Sequence, residues 1–264
     1  MTVLDSSRNA GLLDGLQQTM TLAWRSLVHI RRSPSEILHL TVQPIMLMLL
    51  FVYVFGGALS GSTEEYLAFA IPGLILQNAL FTATRMGFGL SFDIASGVFD
   101  RLRTLPIART APLAGRIVSD FVKHTWSSVL IVGVAVGLGF RMETTPLMVL
   151  VGFVLLLVFC SAISWPILLL AVLLRDPDKA MAAGYVVTFP LAFASNAFVP
   201  EESMPGWLRT WVDVNPVTSA AEALRGLLVD GPVLTPMLRA LAWSAAVTVV
   251  FAPLAVYTFR RRQM

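Results

Sequence analysis

Few residues in this 264-residue chain could do chemistry: three histidines, His29, His39 and His124, and one cysteine, Cys160. The histidines are spaced neither as a His-x-x-x-His pair nor beside cysteines, so they lack the pattern of a metal site. No Gly-x-x-x-x-Gly-Lys-Ser/Thr run exists to wrap nucleotide phosphates in backbone N–H groups, so ATP-driven work would have to come from a partner. There is no Gly-x-Ser-x-Gly elbow, which argues against an intramembrane hydrolase. Cys160 lies in an apolar run and implies no disulfide framework. What remains is charge set in apolar surroundings.

Those surroundings dominate the composition. Hydrophobic residues make up 56% of the chain and charged ones 13%, with a mean hydropathy of +0.75. Soluble domains carry about 25% charged residues, so this is an integral membrane protein. The expected fold is all-α and polytopic, with six transmembrane helices, because each span takes about 20 apolar residues. A cytoplasmic leader over 1–36 precedes a membrane domain over 37–258, and a basic tail fills 259–264. The first long apolar segment starts near residue 37, behind a charged leader, so no cleavable signal is expected. The leader repeats apolar residues at helical spacing from Leu12 to Val28, which suits an interfacial helix, with Trp24 at the headgroup boundary and Arg25, Arg31 and Arg32 near anionic lipids.

The six spans are expected over 37–58, 69–92, 117–140, 147–174, 180–199 and 236–257. Polar residues inside them are the candidate cargo path: Gln77, Asn78 and Arg85 in the second span, and Asn196 with Phe198 near the outer end of the fifth. A charge at mid-helix costs about 2.5–3.5 kcal/mol on insertion scales, so Arg85 must face protein or water, or snorkel. Both a functional and a structural role stand for it. Asp120 and Lys123 are three apart and can pair on one helix face, as an interface pair or a proton relay. Ser195 and Asn196 either bond neighbouring spans or line a passage. Gly133 and Gly137 make a small-xxx-small pattern for close helix contact, and Trp165-Pro166 marks a kink. Between spans five and six, Trp207, Leu208, Trp211 and Val212 form a sided aromatic patch suited to the outer interface. Asn215-Pro216 then opens an amphipathic helix, Asn as cap and Pro at its first position, with Gly231-Pro232 closing it.

Charge sets the orientation. With both termini inside, thirteen of the 19 Lys and Arg residues fall on the inner side, and only Arg141, Arg209, Arg225 and Arg239 on the outer. The positive-inside rule therefore expects cytoplasmic termini in a plasma-membrane protein. The stretch 96–110 between spans two and three is then cytoplasmic. As a helix it sets Val98, Phe99, Leu102 and Leu105 on one stripe and Asp100, Arg101 and Arg103 elsewhere, and Pro106 ends it. It is either an ordinary basic loop or an amphipathic plug for a groove on another protein.

Two runs resemble a known family. Residues 97–107, GVFDRLRTLPI, resemble the coupling-helix region of ABC-exporter permeases of the daunorubicin-resistance type, in the ABC type-2 family. Residues 215–228, NPVTSAAEALRGLL, are similar to the signature that these permeases carry before the last span, with Asn215, Pro216, Leu224, Arg225 and Gly226 as its marked positions. The resemblance implies a half-size exporter subunit with no ATPase of its own. It implies two ABC ATPase subunits that bind ATP and Mg, a second permease copy or sister permease, and membrane lipids around it, with no nucleic acid. Val98, Phe99, Asp100, Arg101, Leu102, Arg103 and Leu105 would contact the ATPase. The loop Arg175, Asp176, Asp178 and Lys179 would be the second cytoplasmic contact, and residues 215–228 a re-entrant element at the outer mouth. The implied cargo is hydrophobic or amphipathic, a drug or a lipid. A proton-coupled carrier using Arg85, Asp120 and Lys123, or a non-transporting scaffold, are the competing classes.

Overall fold

The computed structural model describes residues 17–21, 23–24, 28, 34–55, 63–98, 111–142, 144–174 and 176–262, which are helices joined by short turns. The expected coupling residues Phe99, Asp100, Arg101, Leu102, Arg103 and Leu105 lie outside the described residues, as do Arg175 and the leader arginines Arg25, Arg31 and Arg32. In chain order the α-helices are α1 (Pro34–Ile37), α2 (Gln43–Leu50), α3 (Thr63–Ala95), α4 (Ala111–Gly137), α5 (Pro146–Leu174), α6 (Pro177–Phe193), α7 (Gly206–Val214), α8 (Pro216–Leu228) and α9 (Leu234–Arg262). A π-helical segment, Leu38–Val42, joins α1 to α2, and another, Phe51–Phe55, follows α2.

Three of these helices are long and apolar enough to cross a membrane: Tyr66–Ala95, Pro146–Leu174 and Leu234–Phe259. The stretch Leu38–Val54 is a shorter apolar helix. With 27 residues α4 has the length but carries Arg116, Asp120, Lys123 and His124. Helix α6 has 17 residues, about 25 Å, short of a hydrocarbon core of about 30 Å. Val249, Leu150 and Val186 are 72%, 58% and 74% exposed, which suits a lipid-facing surface and not a soluble one.

Helix α3 is the axis. Every residue from 71 to 80 is buried, the pattern of a helix covered on all sides. Helices α4, α5, α6 and α8 pack around it, with α9 against α5 and α8. Close approach depends on side chains that are absent. A Cβ on Gly87 would lie 2.5 Å from Ile167 of α5, and one on Gly184 of α6 would lie 2.6 Å from Thr84 of α3. At that second crossing the Thr84 and Thr188 hydroxyls meet at 3.1 Å. Gly133 and Gly137 do not serve this purpose, because among the described residues no atom comes within 4 Å of a Cβ on either. Small residues permit contact but do not create it where no described helix is apposed.

Proline shapes the first span. Pro44 cannot donate to the carbonyl four residues back, and that carbonyl, Leu40 O, accepts instead from Ser127 Oγ of α4 at 3.3 Å. Ser127 in turn accepts from Asn78 Nδ2 of α3 at 2.8 Å. The widened π turn ahead of Pro44 closes with the Gln43 N–H on Leu38 O. One missing N–H thus recruits side chains from two other helices, since the membrane interior offers no water as a substitute.

The fifth span was expected over 180–199, but its helix stops at Phe193. Pro190 leaves the Val186 carbonyl without its helical donor, and the chain turns through 194–199 as irregular backbone, buried over 195–198. Pro166 lies inside α5, which continues to Leu174.

Candidate functional site

Irregular backbone at membrane depth is tolerated only where protein satisfies its polar groups. The helix pair α7–α8 supplies what the broken end of α6 lacks. Asn215 is the N-cap of α8, and its Oδ1 accepts from the Val217 N–H at 2.9 Å. Its Nδ2 donates to Leu191 O at 3.0 Å and to Ala194 O at 2.7 Å, closing two carbonyls at the end of α6. Pro216 occupies the first helical position, where its missing N–H costs nothing. The Asn196 N–H donates to Thr218 Oγ1 at 3.4 Å, and Asn196 Nδ2 donates to Glu222 Oε1 at 2.7 Å.

Arg225 completes the node. Its Nε and Nη2 each donate to Phe69 O on α3 at 3.3 Å, and Nη2 also donates to Asn196 O at 3.2 Å. The guanidinium lies 4.0 Å from the Phe69 ring centroid, a cation–π distance. One planar fork therefore ties α8 to the start of α3 and to the turn after α6, which a lysine could not do. Leu224 is buried on the apolar stripe of α8 with Val217, Ala220, Ala221, Leu227 and Leu228, as its periodicity predicts. Gly226 lets the chain fold back, since a Cβ there would sit 2.9 Å from Pro232 O. The patch on α7 is only partly sided: Trp207 and Trp211 are exposed, Leu208 is half-buried and Val212 is fully buried.

At the opposite end of the bundle, Leu90 of α3, Leu168, Ala171 and Val172 of α5, Ala180 of α6 and Phe259 of α9 form a second apolar cluster. The C-terminal part of α3 and the first turn of α6, which adjoin two of the expected contact segments, both pack in this cluster. Val98 is half-buried just beyond the turn at Gly97, where φ is 69°, and Asp176 caps α6. The Asp176 carboxylate accepts from the N–H groups of Asp178 at 3.1 Å and Lys179 at 3.2 Å, with Lys179 Nζ at 3.4 Å. The Lys179 N–H, with the Lys179 ammonium behind it, holds this carboxyl below the usual carboxylate range. A carboxyl depressed in the folded state stabilises fully above its unfolded value of about 3.9 and loses that effect as pH falls through the folded value. Asp176→Ala is therefore expected to melt below the unmodified protein at neutral pH. The gap should close as pH falls below about 4, as followed by thermal unfolding in detergent.

The expected cargo-path residues do not line one open passage within the chain. Gln77 and Asn78 are buried in α3, Asn196 is committed to the α8 node, and Phe198 is buried beyond the end of α6. Arg85 donates to Thr82 Oγ1 at 3.2 Å, with Tyr185 alongside. The pair expected within α4 is formed elsewhere, because Lys123 Nζ reaches Glu36 at 3.5 Å. Helix geometry permits the contact three residues on, but an opposite charge arriving from α1 competes for the same ammonium.

A feature not anticipated runs beside Arg85. Phe81 of α3 lies 5.7 Å from Tyr185 and 5.5 Å from Phe189, ring centre to ring centre. Phe189 stacks on Phe193 at 4.9 Å, Phe193 meets Phe198 at 5.8 Å, and Phe198 stacks on Phe51 at 4.7 Å. Six rings, from α3, α6, the turn after α6 and the π-helical segment after α2, make a continuous ladder, with Phe189 and Phe193 49% and 43% exposed. The signal was in the sequence: residues 185, 189 and 193 are aromatic at four-residue spacing, one face of a helix.

Comparison with known proteins bears on the family. Residues 17–229 match the family model described as ABC-2 type transporter. The chain is 34% identical over 261 residues to the daunorubicin resistance ABC transporter permease protein DrrB1 of Streptomyces coeruleorubidus, covering 99% of this chain and 92% of that one. It is 30% identical over 258 residues to the probable doxorubicin resistance ABC transporter permease protein DrrC of Mycobacterium tuberculosis, covering 97% and 92%. A putative transport permease ycf38 of Cyanophora paradoxa is 28% identical over 222 residues, covering 80% of this chain and 74% of its own.

Proposed function

The chain belongs to the ABC-2 type transporter family, and from that premise we propose that it is the membrane half of an exporter driven by separate ATPase subunits. In this reading it has six spans and cytoplasmic termini, and works with a second permease copy or a sister permease. Two ATPase subunits bind the ATP and Mg. The observation that carries the reading is the meeting of the α3 C-terminus, the α5–α6 junction and the C-terminal part of α9 at one end of the bundle. That end is the cytoplasmic one by the positive-inside rule, and the amphipathic run after Val98 leaves from it.

Motion applied there has a route to the other side. Helices α3 and α6 are clamped at Thr84–Thr188, and both are tied to α8 through Arg225 and Asn215. Packed helices transmit displacement with little compression, so ATPase closure acting on 97–107 and 176–179 moves α3 and α6 as levers. The α8 node then opens at the outer mouth. The aromatic ladder along α3, α6 and the π-helical segment after α2 supports a hydrophobic or amphipathic cargo, and planar aromatic compounds suit its stacked rings best. The relatives named for daunorubicin and doxorubicin resistance agree with drug cargo; lipids fit the same chemical class less closely.

The test is Phe99→Asp in cells that also express the cognate ATPase. A carboxylate forced into an apolar groove without a partner costs several kcal/mol. The variant is expected to insert normally, to lose ATPase co-purification and to lose daunorubicin efflux. Undiminished co-purification and efflux would refute the coupling role.

A further inference from the structure

We propose that the cleft between α4 and α5 is a second binding site, away from the aromatic ladder, that takes the hydroxyl head of a single-chain amphiphile from the surrounding bilayer. The cleft is a cavity of about 30 Å³ with Phe121 and His124 on one wall and Cys160, Ser161, Ser164 and Trp165 on the other. His124 is 4% exposed, and neither of its ring nitrogens has a hydrogen-bond partner. Buried polar groups are partnered in the great majority of native structures, by protein or by an ordered small molecule. A water needs about 10–15 Å³ of such volume, so the space accommodates one hydroxyl and about one water.

Position and charge select the ligand. His124 lies eight residues beyond Arg116, about 12 Å deeper along α4, inside the apolar layer and below the headgroups. The rim is apolar and open: Phe121 is 36% exposed, and Leu157 and Trp165 are half-buried. An alkyl chain from the bilayer can lie along it. Arg85 and Lys123 are the cationic neighbours of His124 and oppose a cationic head, and an ionised head of either sign would have to leave water to reach this apolar layer. A hydroxyl is neutral and both donates and accepts, so it serves the imidazole in either tautomer. Ser164 already donates to Cys160 O at 2.8 Å, and its oxygen still has acceptor capacity toward the cavity. This inference needs only the bilayer placement and is independent of the cargo and the ATPase.

The experiment uses the full chain in lipid nanodiscs and a diazirine-bearing octanol as photolabel, with adducts mapped by mass spectrometry. Label is expected to concentrate on peptides containing residues 120–124 and 157–168. Excess 1-octanol should displace it about fivefold better than octane, the ratio that one neutral hydrogen bond provides. His124→Phe should abolish that preference, and His124→Gln, which keeps a donor and an acceptor, should retain it. Label spread evenly over lipid-facing residues, equal competition by octane, or an undiminished preference in His124→Phe would each overturn the proposal. The competition arm uses the unmodified chain, so it decides the matter even where a variant fails to fold.

Discussion

Arg225→Met is expected to lower the thermal transition of the detergent-purified chain by roughly 5–10 °C and to abolish export while the protein still inserts. Methionine preserves much of the apolar bulk but none of the donors. Asn196 O, buried in the turn after α6, loses its Arg225 donor. Phe69 O loses two N–H contacts and its ring loses the overlying cation. A charged hydrogen bond contributes about 1.5–3 kcal/mol and a buried acceptor left bare costs about 1–3 kcal/mol. With Arg225 only partly buried, a total of about 2–4 kcal/mol is the expected scale. Arg225→Lys should recover little, because a single ammonium cannot serve both carbonyls and stack on the ring. An unchanged transition together with normal efflux in Arg225→Met would dismiss the node as the link between α3, α6 and α8.

The second large effect is a contrast between glycines. Gly73→Val is expected to reduce folded, monodisperse protein to a small fraction of the unmodified level, whereas Gly133→Val should leave it near normal. A Cβ on Gly73 would collide with the backbone carbonyl of Ala197. That backbone yields little, because Asn215, Thr218 and Arg225 hold the turn at Ala194 and Asn196, just before it. Overpacking in a close-packed interior costs about 1–3 kcal/mol, and more where the neighbour is fixed backbone. Among the described residues Gly133 has no atom within 4 Å of the added carbon, and surface changes of this kind stay within about 0.5 kcal/mol. Size-exclusion profiles of both variants at equal expression provide the comparison. Equal damage from the two would contradict the packing described for α3.

Much of the molecule was legible in the residues themselves. Mean hydropathy and length set an all-helical membrane protein, because lipid leaves helices as the simplest way for an apolar chain to satisfy its backbone. Asn215-Pro216 marked the start of α8, and its apolar periodicity named the buried stripe, since both are properties of one helix and its cap. The resemblance carried by residues 97–107 and 215–228 reached the family. Local signals of this kind need no knowledge of what lies across the bundle.

Tertiary structure decided the rest. Which glycines mediate contact depended on apposed helices, so Gly73, Gly87 and Gly184 pack closely while Gly133 and Gly137 face open space. Lys123 met Glu36 and not Asp120 because a charge from α1 arrived at it. Asn196 and Arg225, 29 positions apart in sequence, became one node because α6 ends early and its bare carbonyls required donors from α8. Sequence spacing determines what a helix presents on each face; only the packing of the whole chain determines which group meets it there.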